Sequence, residues 1–210
     1  MKRGILSAVF IMSIVLANVV TGKIIDVGIG GLLISGGVVF YSLTFLMTDM
    51  VTELYGETES RRLVVAGFVA SVLAAILLYI TQILPVAEFA RPRQEAYEVL
   101  LGQNIRFVAA SMVAYLSSQF LDVRLFSFIG WKTRGRHKWL RNNGSTIVSQ
   151  FVDTLVFTTL AFAGAVPVAA FFPLVFGRYF AKLLIAALDT PVFYLLTYRQ
   201  QSVDFGRRRS

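Results

Sequence analysis

The chain contains no cysteine, which removes disulfides, thiolate chemistry and cysteine-based metal sites. It has one histidine, His137, set in a basic stretch, so a histidine metal site or proton relay lacks its material. Charge is scarce as well: 15% of the residues are Asp, Glu, Lys or Arg, against about 25% in a soluble domain. With 56% hydrophobic residues, that scarcity reads as an integral membrane protein. No phosphate loop of the Gly-x4-Gly-Lys-Ser/Thr kind occurs, so any use of ATP falls to another chain. Linkers and low-complexity runs are missing too, and residues 1–210 read as one domain.

The 210 residues carry a net charge of +8. In a soluble protein that excess points to nucleic acid; here its positions follow a membrane topology, and no nucleic-acid partner is expected. Long uncharged runs predict an all-α, polytopic bundle of six transmembrane helices, about 4–22, 32–55, 63–87, 105–121, 144–165 and 174–198. The basic start before the first run resembles a signal peptide, but the run is long and lacks a clear small-x-small site before Lys23. It reads as an uncleaved span. A short glycine-containing hairpin is expected at 23–31, and an amphipathic surface helix or loop at 88–103. Fourteen of the twenty Lys and Arg fall on one side of this layout, three on the other and three within spans. The positive-inside rule then puts both termini in the cytoplasm.

Charge inside a span costs at least ~2.5–3.5 kcal/mol at the helix centre, so its retention asks for a reason. The spans hold the acids Asp49, Glu53, Asp153 and Asp189 and the bases Arg106, Arg178 and Lys182. Asp49 and Glu53, four apart, share one helix face. Counting from the predicted span ends brings Asp49, Asp153 and Asp189 to one level, slightly inside the midplane. Arg178, Lys182 and Asp189 form a stripe on the last helix, where Pro191 deprives the Ala187 carbonyl of its donor. Ser111, Tyr115, Ser118 and Asp122 make a polar stripe on the fourth span, Gln150, Asp153 and Thr154 share a turn of the fifth, and Asn18 is the strongly polar side chain of the first. A structural reading has the bases simply gluing helices together. The functional reading has the cluster lining a solute path. Either way, Arg178 or Lys182 is expected to neutralise at least one of Asp49, Glu53 and Asp153. Four acids against three bases leave one carboxylate without a protein cation.

Thr48-Asp49…Glu53-Leu-Tyr-Gly56 with Arg61-Arg62, Ser149-Gln150-Phe-Val-Asp153-Thr154…Gly164, and Lys182…Leu188-Asp189-Thr190-Pro191…Tyr194 together resemble the queuosine-precursor transporter family, also labelled vitamin uptake transporters. The resemblance runs in order along nearly the whole chain. It implies an inner-membrane importer, not an enzyme, for 7-cyano-7-deazaguanine or 7-aminomethyl-7-deazaguanine, with a fold like the vitamin-binding membrane subunits of energy-coupling-factor transporters. No cofactor or metal is implied. The site residues it suggests are Asp49, Glu53, Gln150, Asp153, Arg178, Lys182, Asp189 and Asn18. A guanine-like edge offers two adjacent donors that suit a carboxylate, and Tyr41, Phe45 or Phe157 could stack on the ring. Asp153 is the expected ring acceptor, with Asp49 and Gln150 in support. Two alternatives stay open: a vitamin-capture subunit with separate ATPase partners, and a membrane enzyme using Asp49, Glu53 and Asp153 as acid, base or hard-ion ligands. The partners expected are a small-molecule substrate and the lipid bilayer; a homo-oligomer is left open.

Overall fold

The structure, a computed structural model, describes residues 3–20, 23–26, 33–101, 105–162, 164 and 168–197. Seven α-helices dominate: α1 Arg3–Val20, α2 Gly37–Tyr55, α3 Glu57–Ile83, α4 Arg91–Leu101, α5 Ile105–Lys132, α6 Lys138–Phe162 and α7 Val168–Thr197. Between α1 and α2, β1 (Ile24–Asp26) and β2 (Leu33–Ser35) pair antiparallel, Ile25 opposite Ile34. The expected hairpin at 23–31 is thus strand-paired and longer. It adds two strands to a chain expected to be all-α and moves the start of the second helix from 32 to Gly37. The amphipathic stretch forms a 3-10 turn and α4.

Among the described residues, four helical segments are long and apolar enough to cross a membrane: α1, α2, α3 and residues Val175–Thr197 of α7. The sequence reading assigned six. α5 and α6 have the length, at 28 and 25 residues, but their polar stripes take them out of the strongly apolar class. Those stripes turn inward. Ser118, Gln119 and Asp122 of α5, and Arg141, Ser145, Ser149 and Gln150 of α6, are all fully buried, while Val65, Val69, Leu73 and Ile76 of α3 are about half exposed. Apolar outside and polar inside suits a bundle whose solvent is hydrocarbon.

Helix ends also depart from the sequence reading. The charged stretch 57–62 opens α3, with only Gly56 between it and α2; Gly56 takes φ +89°, a conformation glycine adopts without penalty. α5 continues to Lys132 and α6 begins at Lys138, so the expected fourth-to-fifth loop shrinks to a turn. Pro173 lies within α7, and Gly164 turns at φ +75°; Pro167 is outside the described residues.

Cross-helix bonds fix the directions. Tyr41 of α2 meets Asp153 of α6, and Glu53 meets Arg141, so α2 and α6 run antiparallel. Ser118 bonds Asp153, and Asp122 accepts from Ser149, so α5 runs with α2. α7 runs with them as well, since Lys182 reaches Asp153 while Thr190 bonds Asn143 at 3.0 Å. The apolar core packs Leu6, Phe10 and Ile14 of α1 against Met47 and Met50 of α2, Val64 of α3 and Tyr115 of α5. Gly67 lets α3 approach: a Cβ there would lie 2.5 Å from the Phe10 ring and 2.6 Å from the Tyr115 hydroxyl.

Candidate functional site

α2 is the polar axis. Among its residues, Thr44, Thr48, Asp49, Thr52 and Glu53 are all 1% exposed or less, and their partners come from α3, α5 and α6. Threonines are tolerated in a helix because their hydroxyls bond back to the preceding turn, as Thr48 does to the Thr44 and Phe45 carbonyls and Thr52 to that of Thr48. Gln119 locks α5 to this face, donating to Thr44 at 2.8 Å and accepting from Thr48 at 3.2 Å.

Three layers of charge stack along this axis. In the first, Lys182 pairs with Asp153. Asp153 also accepts from the Tyr41 hydroxyl at 2.6 Å and from Ser118 at 3.0 Å. The Lys182 ammonium lies 5.2 Å from the Tyr41 ring centre. One layer on lie Asp49 of α2 and Asp122 of α5, both buried. Asp122 accepts from Ser149 at 2.8 Å, but among the described residues neither Asp49 oxygen nor the second Asp122 oxygen has a donor. In the third layer, Glu53 takes the Arg141 guanidinium at 2.7 Å and Lys138 at 3.3 Å. Arg141 is fully buried and lies 5.5 Å from the Phe126 ring centre.

The middle layer opens on a cleft between α2, α6 and α7, lined by Ser42, Phe45, Asp49, Asn142, Thr146, Gln150 and Asp189. Its free volume is about 10 Å³, room for about one water molecule; the bundle is closed around it. Gln150 is fully buried and, among the described residues, neither of its amide atoms has a partner and Asn142 Oδ1 lacks a donor. Buried amides and carboxylates without partners each cost about 1–3 kcal/mol or more, so the cleft concentrates unmet hydrogen-bonding capacity at one level.

The expected residues divide accordingly. Asp49, Gln150 and Asp189 meet at the cleft. Asp153 and Lys182 pair with each other, as one of the expected neutralisations, about one turn beyond it, so the single level expected for Asp49, Asp153 and Asp189 splits. Glu53 is neutralised from α6 by Arg141 and Lys138. Arg178 lies 4.4 Å from the Phe157 ring centre. Asn18 is partly buried on α1, apart from the cleft lining. The side chain of Arg106 falls outside the description. Sequence reasoning missed Arg141 and Asn142 by assigning both to a loop.

Comparison with known proteins assigns this polar architecture to a family. A family model described as "Putative vitamin uptake transporter" matches residues 35–196, which takes in all three charge layers. The chain belongs to this family. Among relatives of this vitamin uptake transporter family member, a protein named "Probable queuosine precursor transporter" from Bacillus subtilis (strain 168) is 34% identical over 170 residues, covering 78% of this chain and 72% of its own. A "Queuosine precursor transporter" from Escherichia coli (strain K12) is 28% identical over 141 residues, covering 66% of this chain and 59% of its own. No solved structure matches. Both relatives are named as transporters, as the resemblance of the motifs implied, and not as enzymes.

Proposed function

We propose that this chain is a six-span inner-membrane importer of queuosine precursors, 7-cyano-7-deazaguanine or 7-aminomethyl-7-deazaguanine, with both termini cytoplasmic, and that Asp49 receives the ring. The names of the two relatives support the substrate class. The observation that carries the site is the pair of undonated Asp49 oxygens in a cleft shared with the unpartnered Gln150 amide. A guanine-like edge presents N1–H and an exocyclic amine side by side, which two carboxylate oxygens accept together. Gln150 can both donate and accept, so it suits the ring's remaining polar atoms, and Phe45 in the cleft wall offers a face for stacking. Asp153 is the weaker acceptor because Lys182, Tyr41 and Ser118 already occupy its oxygens. Asp189 completes the far wall from α7. A cleft with room for one water cannot hold a bicyclic ring, so admission of the ligand requires α7 to part from α2 and α6.

The test is binding of the two deazaguanines to purified protein, with guanine and a vitamin panel as competitors. Asp49→Asn turns one acceptor oxygen into a donor that faces the ring's own donors. Losing two charge-assisted bonds of about 1.5–3 kcal/mol each weakens binding by about 10²–10⁴-fold. Undiminished affinity in a folded Asp49→Asn protein refutes this site, and wild-type protein that binds a vitamin but no deazaguanine refutes the substrate.

A further inference from the structure

We propose that the cleft selects a deazaguanine bearing a protonated amine at position 7, and that Asp189 of α7 makes the choice by pairing with the ammonium while Asp49 holds the ring edge. The inference rests on the import reading above and deepens it by deciding between its two substrates.

The cleft is short of both positive charge and donors. Two carboxyls from different helices line it, Asp49 of α2 and Asp189 of α7, and among the described residues no lysine or arginine does. The cations at neighbouring levels are engaged elsewhere. Arg141 acts on Asp49 from the next layer, but its guanidinium is bonded to Glu53, and Lys138 also goes to Glu53. Lys182 is taken by Asp153, and Arg178 lies over the Phe157 ring. Thr190, next to Asp189 in sequence, bonds Asn143 of α6 at 3.0 Å and so fixes this turn of α7 at the cleft. None of the described ion pairs includes Asp189. The buried atoms of the lining that lack partners among the described residues are mostly acceptors: both Asp49 oxygens, Gln150 Oε1 and Asn142 Oδ1, against the one donor group Gln150 Nε2. Gln150 is fully buried, so water at the surface does not satisfy it. A carboxylate enclosed without a cation is costly. Such a lining calls for a ligand rich in donors and positive in charge.

The two precursors differ at the point where this shortage remains. Their common guanine-like edge gives Asp49 its two donors. What is left on the wall that α6 and α7 make is Asp189 and Asn142 Oδ1, acceptors both. Position 7 lies on the five-membered ring, on the far side of the bicycle from the edge that Asp49 takes, so its substituent points toward that wall. A nitrile nitrogen only accepts; there it meets acceptors and brings no charge. An alkyl amine is protonated at pH 7, as lysine is, and an ammonium carries three N–H donors. One serves a charge-assisted bond to Asp189 and a second reaches Asn142. The aminomethyl compound thus completes both walls, and the cyano compound completes one.

The experiment measures binding of three ligands to the full chain in lipid nanodiscs at pH 7: 7-aminomethyl-7-deazaguanine, 7-cyano-7-deazaguanine, and 7-ethyl-7-deazaguanine, the uncharged isostere of the first. Wild-type protein should hold the amine at least about tenfold tighter than either neutral ring, the worth of one bond to a charged group. Asp189→Asn should collapse that preference, and Asp189→Glu, which keeps the charge, should retain most of it. Asp49→Asn weakens all three ligands together, which separates the two carboxyls. Equal affinities in the wild type, or a tighter nitrile, overturn the proposal without recourse to any variant and leave the import reading standing. Binding of none of the three overturns that reading as well. A preference that survives in folded Asp189→Asn protein, or that Asp49→Asn removes, overturns the assignment to Asp189. A nitrile that binds as tightly as the amine in sodium chloride but weakly in choline chloride puts an inorganic cation in the place given to the ammonium, and overturns the proposal too.

Discussion

Arg141 offers the sharpest test of how the bundle is held together. Its side chain and that of Glu53 are both fully buried, and one guanidinium nitrogen spans both carboxylate oxygens at 2.7 and 2.8 Å. Arg141→Met leaves Glu53 as a buried charge whose remaining cation is Lys138, 3.3 Å away with a quarter-exposed side chain. Breaking a buried pair from one side costs about 3–5 kcal/mol, and a partly solvated lysine returns at most ~1 kcal/mol, for a net loss of about 2–4 kcal/mol. Glu53→Gln is milder, about 1.5–3 kcal/mol for a bond to a charged group, because Arg141 keeps its place over Phe126 and Asp49 lies near. The double variant removes both charges and should be more stable than Arg141→Met alone. Reversible unfolding in mixed micelles, followed by the fluorescence of Trp131 and Trp139, measures all three. If the double variant loses the sum of the two single losses, the pair has no coupling and the layer picture fails.

Two further outcomes are expected. Gly67→Ala puts a methyl group against Phe10 and against a Tyr115 hydroxyl held by its 2.8 Å bond to the Val64 carbonyl, so it should cost about 1–3 kcal/mol. Gly177→Ala, inside α7 and with a Cβ that meets nothing within 4 Å, should be neutral or stabilise by up to about 1 kcal/mol, and equal losses at the two sites would refute the close-approach argument. Reporter fusions in the 133–137 turn and at the C-terminus should read as cytoplasmic and those near Arg91 as external; any reversed pair would overturn the orientation.

Much of the site is written in spacing. Asp49 and Glu53 share a face of α2, and the Ser118-to-Asp122 stripe turns inward on α5 as a polar stripe should in lipid. What misled was where helices end. The run 132–141 is so basic that it reads as a loop set by topology, yet α6 begins at Lys138. Starting six residues before the expected 144 shifts depth along α6 by about 9 Å, which is why Asp153 lies beyond the Asp49 level and why Arg141 is in the core. A signal was present. Arg141, Ser145, Ser149 and Asp153 recur every four residues, one polar face crossing the supposed loop boundary without a break, and all four are buried. On α5 the stripe was read through to Asp122, but the assumed span end at 121 kept that residue off the list of acids inside the spans. The β1–β2 pairing was half legible, since the glycines marked a turn but three-residue strands carry too little alternation to set a register.

The position of the cleft follows from how the charge layers are bonded. In hydrocarbon, helices gain little from burying apolar surface against one another, and packing and polar contacts hold them. The layers at either end are ion pairs that join α6 to α2 and to α7, Glu53 with Arg141 and Asp153 with Lys182, reinforced by Tyr41, Ser118 and Lys138. Separating helices there exposes opposite charges to each other's loss. The middle layer has, among the described residues, carboxyl and amide atoms without hydrogen-bond partners, so parting α2, α6 and α7 at this level breaks the least and hydrates the most. A bundle built this way is strong at two heights and weak between them, and the weak height is where its unmet donors and acceptors converge. On the proposed reading, a solute that supplies those bonds closes the gap in a layer that, among the described residues, the protein's own side chains leave incomplete.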